Sequence, residues 1–168
     1  MADVDVDDKQ ARHNIRQMWD RADNFKSVFR WAQRELEMAN RANFASQGAA
    51  SGKPWMPLDN EYARWKLANH GALPILVVSG TLKDSLTRLR GTPNEIDKKS
   101  AVFGTNMSVG GRPIARYHQD GTTKMPARKI VFVPPLFASR LAQKVGAHIV
   151  YGDLGRVTAA TPLLKGLF

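Results

Sequence analysis

An apolar stripe near the start of the chain constrains the fold more than any other feature. Apolar residues recur there at alternating spacings of three and four, which is the repeat of one face of an α-helix. The pattern predicts a helix over residues 12–44, about 45 Å long. Two interpretations remain open: the stripe packs on the subunit's own sheet, or part of it contacts a neighbouring subunit. Its members are Ile15, Met18, Ala22, Phe25, Phe29, Ala32, Leu36 and Ala39.

The rest of the chain predicts short elements and therefore an α+β fold. We expect the long N-terminal amphipathic helix to pack on a small, mostly antiparallel sheet. Helices are predicted over residues 60–69 with Asp59 as N-cap, 81–89 with Thr81 as N-cap, and 135–145. Residues 114–119 fit a short helix or a strand. Strands, or buried extended segments, are predicted over residues 74–78, 100–105, 129–133 and 147–151.

Charge divides the chain into an acidic arm and a basic body. The full chain has 25 basic and 15 acidic residues, for a net charge of +10. Four of the acids lie within the first eight residues, so the balance from residue 9 onward is +14. A basic body attracts polyanions, although the charge also serves solubility alone. We expect an arm at residues 1–10, one domain at 11–151 and a C-terminal arm at 152–168.

The sequence lacks the motifs that are typical of several functional classes of protein. The chain has no cysteine, which excludes disulfides and thiolate metal sites. No apolar run approaches the roughly 20 residues of a membrane span, and residues 1–8 do not resemble a secretory signal. The four histidines show no metal-ligand spacing, and the glycine-rich residues 104–111 lack the Lys-Ser/Thr of a phosphate loop. We therefore assign no catalytic, cofactor or metal residue, and a hydrolase built around His118 and Asp120 is the weaker alternative.

Five basic residues are candidates for contacts with protein partners or DNA. They lie mostly in predicted loops, where exposed cations can bind carboxylates or phosphates. A solvated basic face is the simpler interpretation, and a nucleic-acid-binding protein that uses the same loops is the alternative function. The candidates are Arg88, Arg90, Arg112, Lys124 and Arg128.

An ordered series of short motifs runs through residues 51–130. In this order the motifs resemble the virion-morphogenesis, or tail-completion, family of Mu-like and related tailed phages. The resemblance covers about half of the chain. The motifs are Ser51-Gly52-x-x-Trp55-x-Pro57-Leu58, Ile75-Leu76, Ser79-Gly80-Thr81-Leu82-x-x-Ser85, Phe103-Gly104-Thr105, Ala115-x-x-His118-Gln119-x-Gly121 and Met125-Pro126-Ala127-Arg128.

The resemblance implies a structural protein of the phage neck and no enzyme activity or cofactor. It implies an α+β subunit that forms a ring, often a hexamer, where the head connector meets the tail tube. The implied partners are other copies of the chain, connector or stopper proteins, tail-terminator and tail-tube proteins, and double-stranded DNA in the pore. The implied location is the virion, after assembly in the host cytoplasm.

The resemblance also gives architectural roles to its glycines and to its tryptophan loop. Trp55 and Pro57 are expected to pin the loop that follows the first helix. Gly80, Gly104 and Gly121 are expected to allow tight turns.

Three further motif residues are expected to make polar contacts. His118 and Gln119 are expected to be buried hydrogen-bonding groups that hold their turn against the core. Arg128 is expected to pair with a carboxylate within or between subunits.

Overall fold

A computed structural model describes residues 8–90 and 93–152 of the chain. Within these ranges the fold is α+β, with far more helix than strand. Strands β1 and β2 pair antiparallel, with Glu95 opposite Val102 and Ile96 opposite Ala101, and a 3-10 turn, Ala49–Ser51, follows the second helix. The elements are α1 (Lys9–Ala22), α2 (Lys26–Ala45), α3 (Asn60–His70), α4 (Thr81–Thr87), β1 (Glu95–Ile96), β2 (Ala101–Val102), α5 (Ile114–Asp120) and α6 (Phe137–Tyr151).

Two helices occupy the segment where the apolar stripe predicts one. The break between α1 and α2 is held by groups from distant parts of the chain. The Phe25 N–H donates to the Lys98 carbonyl over 2.8 Å, and a ring nitrogen of His148 lies 2.9 Å from the Asn24 carbonyl oxygen. These contacts satisfy backbone groups that the break removes from the helix. Because the contacts are long-range, the 3.6-residue period does not reveal the break.

The core lies where α2 and α4 pack together and reaches under the loop that follows α2. The Trp55 ring meets the Phe44 ring edge-on, with centroids 5.2 Å apart. The indole N–H of Trp55 donates to the Lys129 carbonyl over 2.9 Å. A buried Trp with a satisfied N–H is a strong loop anchor. The buried members of the core cluster are Phe44, Trp55, Leu82, Leu86, Ala115 and Ile130.

The segment 129–133 is predicted as a strand from its β-propensity. No other segment of the described chain pairs with it as a strand. The Gln119 side-chain oxygen accepts from the backbone N–H groups of Ile130 and Val131 over 2.9 and 3.1 Å. The Asn40 side-chain oxygen accepts from the Phe132 N–H over 2.9 Å. The strand prediction is therefore wrong here, because side-chain amides take the place of a neighbouring strand.

The predicted strand at residues 147–151 is the last part of α6. Ala147 and His148 are buried, and α6 packs on α1 and α2, so packing outweighs the local β-propensity. The helix ends where Gly152 adopts a φ of 70°, a usual helix terminator.

Among the other short elements, α3 and α5 each extend one residue beyond the prediction, whereas α4 and β2 are shorter than predicted. Asp59 caps α3 as expected and accepts from the Glu61 N–H over 2.9 Å. At α4 the N-cap is Gly80, and Thr81 is the first helical residue. Residues 74–78 contain no strand, and Leu76 has a φ of 62°, which no regular strand accommodates.

Candidate functional site

A groove of about 870 Å³ lies among the family-like motifs. It lies beside the start of α3 and the loop before α4, opposite α5 and residues 124–128. Its lining is mainly apolar and includes three methionines, flexible side chains that adapt to different partners. The apolar lining residues are Met56, Pro57, Leu58, Leu76, Val78, Leu82, Met107, Val109, Ile114, Met125 and Pro126.

Arg128 is buried in the wall of this groove. Its side chain is 5% exposed. The Nε and Nη2 groups donate to the carbonyls of Met56 and Pro57, each over 2.9 Å. Burial lowers the pKa of Arg128, and an electrostatic interaction with Tyr62 acts in the opposite direction. Arg128 therefore connects the loop before α3 to the segment after α5. Its partners are backbone carbonyls, whereas the sequence analysis expected a carboxylate.

Lys66 is the second buried cation of the groove. It is 3% exposed and is the one buried residue of α3. Its Nζ donates to the Pro74 carbonyl, and burial lowers the pKa of its ammonium group. Nothing in the helical pattern of α3 indicates that this lysine points inward, since the aromatic residues Tyr62 and Trp65 on the same helix are partly exposed.

His118, on α5, also lines the groove. Its Nδ1 atom is buried and has no hydrogen-bond partner among residues 8–90 and 93–152. Burial lowers the pKa of the imidazole, and the positive charge of Arg128 lowers it further. Asp120, the acid of the alternative hydrolase, instead lies 3.5 Å from the Arg116 Nε. The structure thus gives His118 and Asp120 separate surroundings.

The five predicted contact residues separate into two groups. Lys124 and Arg128 line the groove, and Lys124 is exposed at its rim. Arg88, Arg90 and Arg112 are exposed and lie outside the groove lining. The groove itself brings together residues that the sequence patterns do not connect.

The structural motif residues surround the groove and the core. Gly121 has a φ of 79°, and a Cβ placed on it would lie 2.8 Å from the Ala127 backbone nitrogen. Gly80 also has a positive φ, whereas Gly104 does not, so the turn role predicted for Gly104 is not observed. The carbonyl of Pro57 accepts from Arg128. Gly121 is thus required for two reasons, its positive φ and the lack of space for a Cβ beside Ala127.

A second apolar surface lies on α1. None of the 14 residues of α1 is buried. Trp19 is 73% exposed and Ile15 is 54% exposed, and their spacing of four places them on one face of the helix. We call these two residues the outer face of α1. The described part of the chain leaves both of these large apolar side chains more than half exposed.

The described part of the chain holds neither a cluster of metal-ligating side chains nor a membrane-spanning helix. No group of three His, Asp or Glu side chains within residues 8–90 and 93–152 is placed to hold a metal ion. No helix of these residues has the length and apolar character needed to cross a membrane.

The described chain is a helix-rich α+β fold with a mainly apolar groove and two exposed apolar side chains on α1. A family model for the phage virion morphogenesis family matches residues 6–149, most of the chain, and the protein belongs to this family. The match confirms the resemblance found in residues 51–130 and extends it to α1, α2 and α6. Searches of the curated proteins and of the solved structures each returned no match.

Proposed function

We propose that the protein is a structural subunit of the phage neck, a tail-completion or head–tail joining protein. In this proposal it assembles as a homo-oligomeric ring, a hexamer, around a passage for DNA. The ring docks on connector or stopper proteins on one side and on tail-terminator and tail-tube proteins on the other. Its work is assembly in the host cytoplasm followed by residence in the virion, and it makes and breaks no covalent bond. Membership of the phage virion morphogenesis family supports the part of the proposal that gives the protein a role in building the phage particle.

The outer face of α1 is the observation that carries the proposal. A subunit that remained alone would leave Trp19 and Ile15 in water. Burial of a large apolar side chain contributes about 1.5–3 kcal/mol, so two such residues supply a substantial part of a subunit contact. In a ring, each subunit presents one patch to a different patch on its neighbour. The apolar face of α1 is suited to be one of those patches.

The proposal is tested by replacing Ile15→Ser and Trp19→Ser together. We expect the association of subunits to weaken by about 100-fold, since about 3 kcal/mol of apolar burial is lost. Light scattering measures the mass of the purified protein, and complementation measures the production of infectious particles. The matched control is Val102→Ser, because Val102 is 55% exposed on β2. Unchanged mass and full complementation by the double variant would contradict the proposal.

Nucleic-acid binding is the second candidate function, and the exposed arginines favour it. The side chains of Arg88, Arg90 and Arg112 are exposed, and the described residues offer them no ion-pair partner. Free guanidinium groups are suited to phosphate contacts. If this function holds, binding to bare duplex DNA falls steeply with salt. A ring held by apolar burial survives the same salt increase, so the two readouts separate the candidates.

A further inference from the structure

Two buried cations line the groove, and neither pairs with the carboxylate of the lining, Asp59, whose Oδ1 accepts from the N–H groups of Glu61 and Tyr62 at the start of α3. Lys66 and Arg128 donate to backbone carbonyls, and neither forms an ion pair with another residue of the described ranges. A buried charge is costly unless a counter-charge accompanies it. Lys124 adds a third positive charge at the rim. A carboxylate that enters the groove would supply the missing counter-charge.

The chain contains one segment with the complementary chemistry. Three acids, Asp3, Asp5 and Asp7, alternate with Val4 and Val6 before α1 begins, and no base lies among them. In an extended peptide, alternate side chains point to opposite sides. The valines would therefore face one way and the carboxylates the other. This pattern matches a groove whose lining is mainly apolar and includes three cations.

We infer that the groove is the docking site for the acidic segment, residues 1–7, of a second copy of this chain. The inference rests on the proposed ring, in which every subunit carries both a donor segment and an acceptor groove. A head-to-tail contact of this kind closes into a ring when the rotation between subunits permits it. Seven extended residues reach at most about 23 Å, which sets the longest distance that this contact can bridge. Val4 and Val6 then contact the methionines, and the carboxylates face Lys66, Lys124 and Arg128.

Charge favours this segment over the other end of the chain. Residues 153–168 are also rich in apolar side chains, but they contain one acid and two bases. Such a segment would bring further positive charge to a groove that already has three cations. It therefore serves as the competing occupant in the test.

The first experiment measures binding of a fluorescein-labelled peptide of residues 1–8 by fluorescence polarisation. The acceptor is the full chain with Asp3→Asn, Asp5→Asn and Asp7→Asn, which frees the groove from its own acidic segments. We expect saturable binding that Lys124→Glu weakens by about tenfold or more, since an attractive charge contact becomes repulsive. The matched control is Arg112→Glu, the same charge change on an exposed residue outside the groove, and we expect it to leave the affinity within about twofold.

Two further peptides test the pattern and the occupant. Exchange of Asp5 and Val6 keeps the composition of the peptide but places Val4 and the moved valine on opposite sides, so we expect clearly weaker binding. A peptide of residues 153–168 should not displace the acidic peptide. The inference is overturned if the acidic peptide does not bind, if the exchange has no effect, or if the peptide of residues 153–168 displaces it.

A mixing experiment tests whether the segment comes from a second copy. The Lys124→Glu chain has a donor segment and a damaged groove, whereas the triple Asn chain has a groove and a damaged donor. Both chains also carry Ile15→Ser and Trp19→Ser, so that the outer face of α1 does not associate them. At concentrations above the peptide's dissociation constant, we expect their mixture to form a one-to-one heterodimer that neither chain forms alone. Absence of the heterodimer despite peptide binding would show that each chain fills its own groove. If the protein forms a ring but the acidic peptide does not bind, this inference alone is refuted. If the peptide binds but the protein forms no ring, the proposed function alone is refuted.

Discussion

Replacement of Lys66→Met is expected to stabilise the isolated subunit while it weakens binding of the acidic segment. Lys66 is 3% exposed, and its ammonium group has one hydrogen-bond partner in the described chain, the carbonyl of Pro74. The Pro74 carbonyl also accepts from the Val77 N–H over 3.1 Å, so it keeps a hydrogen-bond partner when the ammonium group is removed. Methionine has a similar length and keeps the apolar contacts of the lysine stem.

The size of the effect follows from the balance of two contributions to the free energy of unfolding. Removal of an ammonium group from water costs several kcal/mol in a protein interior. A charge-assisted hydrogen bond returns about 1.5–3 kcal/mol of this cost. We therefore expect the methionine variant to gain about 1–2 kcal/mol in the free energy of unfolding, which for a chain of this size raises Tm by about 2–8 °C.

The assay is thermal unfolding followed by circular dichroism, over a range of alkaline pH. Burial lowers the pKa of Lys66 below its ordinary 10.5, so the unfolded chain holds this proton to a higher pH than the folded chain. Stability of the wild type therefore rises as pH rises toward 10.5, and the advantage of the variant shrinks.

The matched control is Lys83→Met, because Lys83 is exposed on α4, and its effect is expected to stay within about 0.5 kcal/mol. A lower Tm for Lys66→Met would refute the argument that this buried charge costs stability. Unchanged affinity for the acidic peptide would refute its part in docking.

Two further predictions concern the turn after α5 and the histidine in the groove. Gly121→Ala forces a Cβ to within 2.8 Å of the Ala127 nitrogen at a φ of 79°, and urea unfolding should show a loss of about 2–4 kcal/mol. Gly110→Ala, at a φ of 58° with open space around its Cβ, should cost about 1–2 kcal/mol, and equal losses would contradict the steric argument. Burial, and then the positive charge of Arg128, lower the pKa of His118 below its ordinary 6.5. The contribution of this histidine to the free energy of unfolding is therefore complete above pH 6.5 and is lost as pH falls below that value. His118→Gln should reduce this pH dependence, whereas His13→Gln, at an exposed site, should not; an unchanged slope in His118→Gln would contradict the assignment.

The helices could be predicted from the sequence where local signals agree with packing. The apolar period located α1 and α2, and Asp59 marked the start of α3. The break at Asn24 could not be predicted, since His148 stabilises it from the other end of the described chain. The strand predicted around Ile130 failed because Gln119 supplies the acceptor that a neighbouring strand would provide.

The groove was harder to predict than the helices. Two of its residues, Lys124 and Arg128, stood out by charge in the sequence, and the motif residues Pro57 and His118 proved to lie beside them. Lys66 gave no signal, since a lysine in an irregular helical pattern is normally solvent-exposed. Its burial depends on Pro74 and on the fold of the loop before α4, which are properties of the tertiary structure alone.

Electron microscopy of the protein within the phage particle tests the central claim most directly. The account predicts a ring of identical subunits between head and tail, with Trp19 of each subunit buried against a neighbour. A particle in which this protein is a single copy, or in which the outer face of α1 remains in solvent, would contradict it.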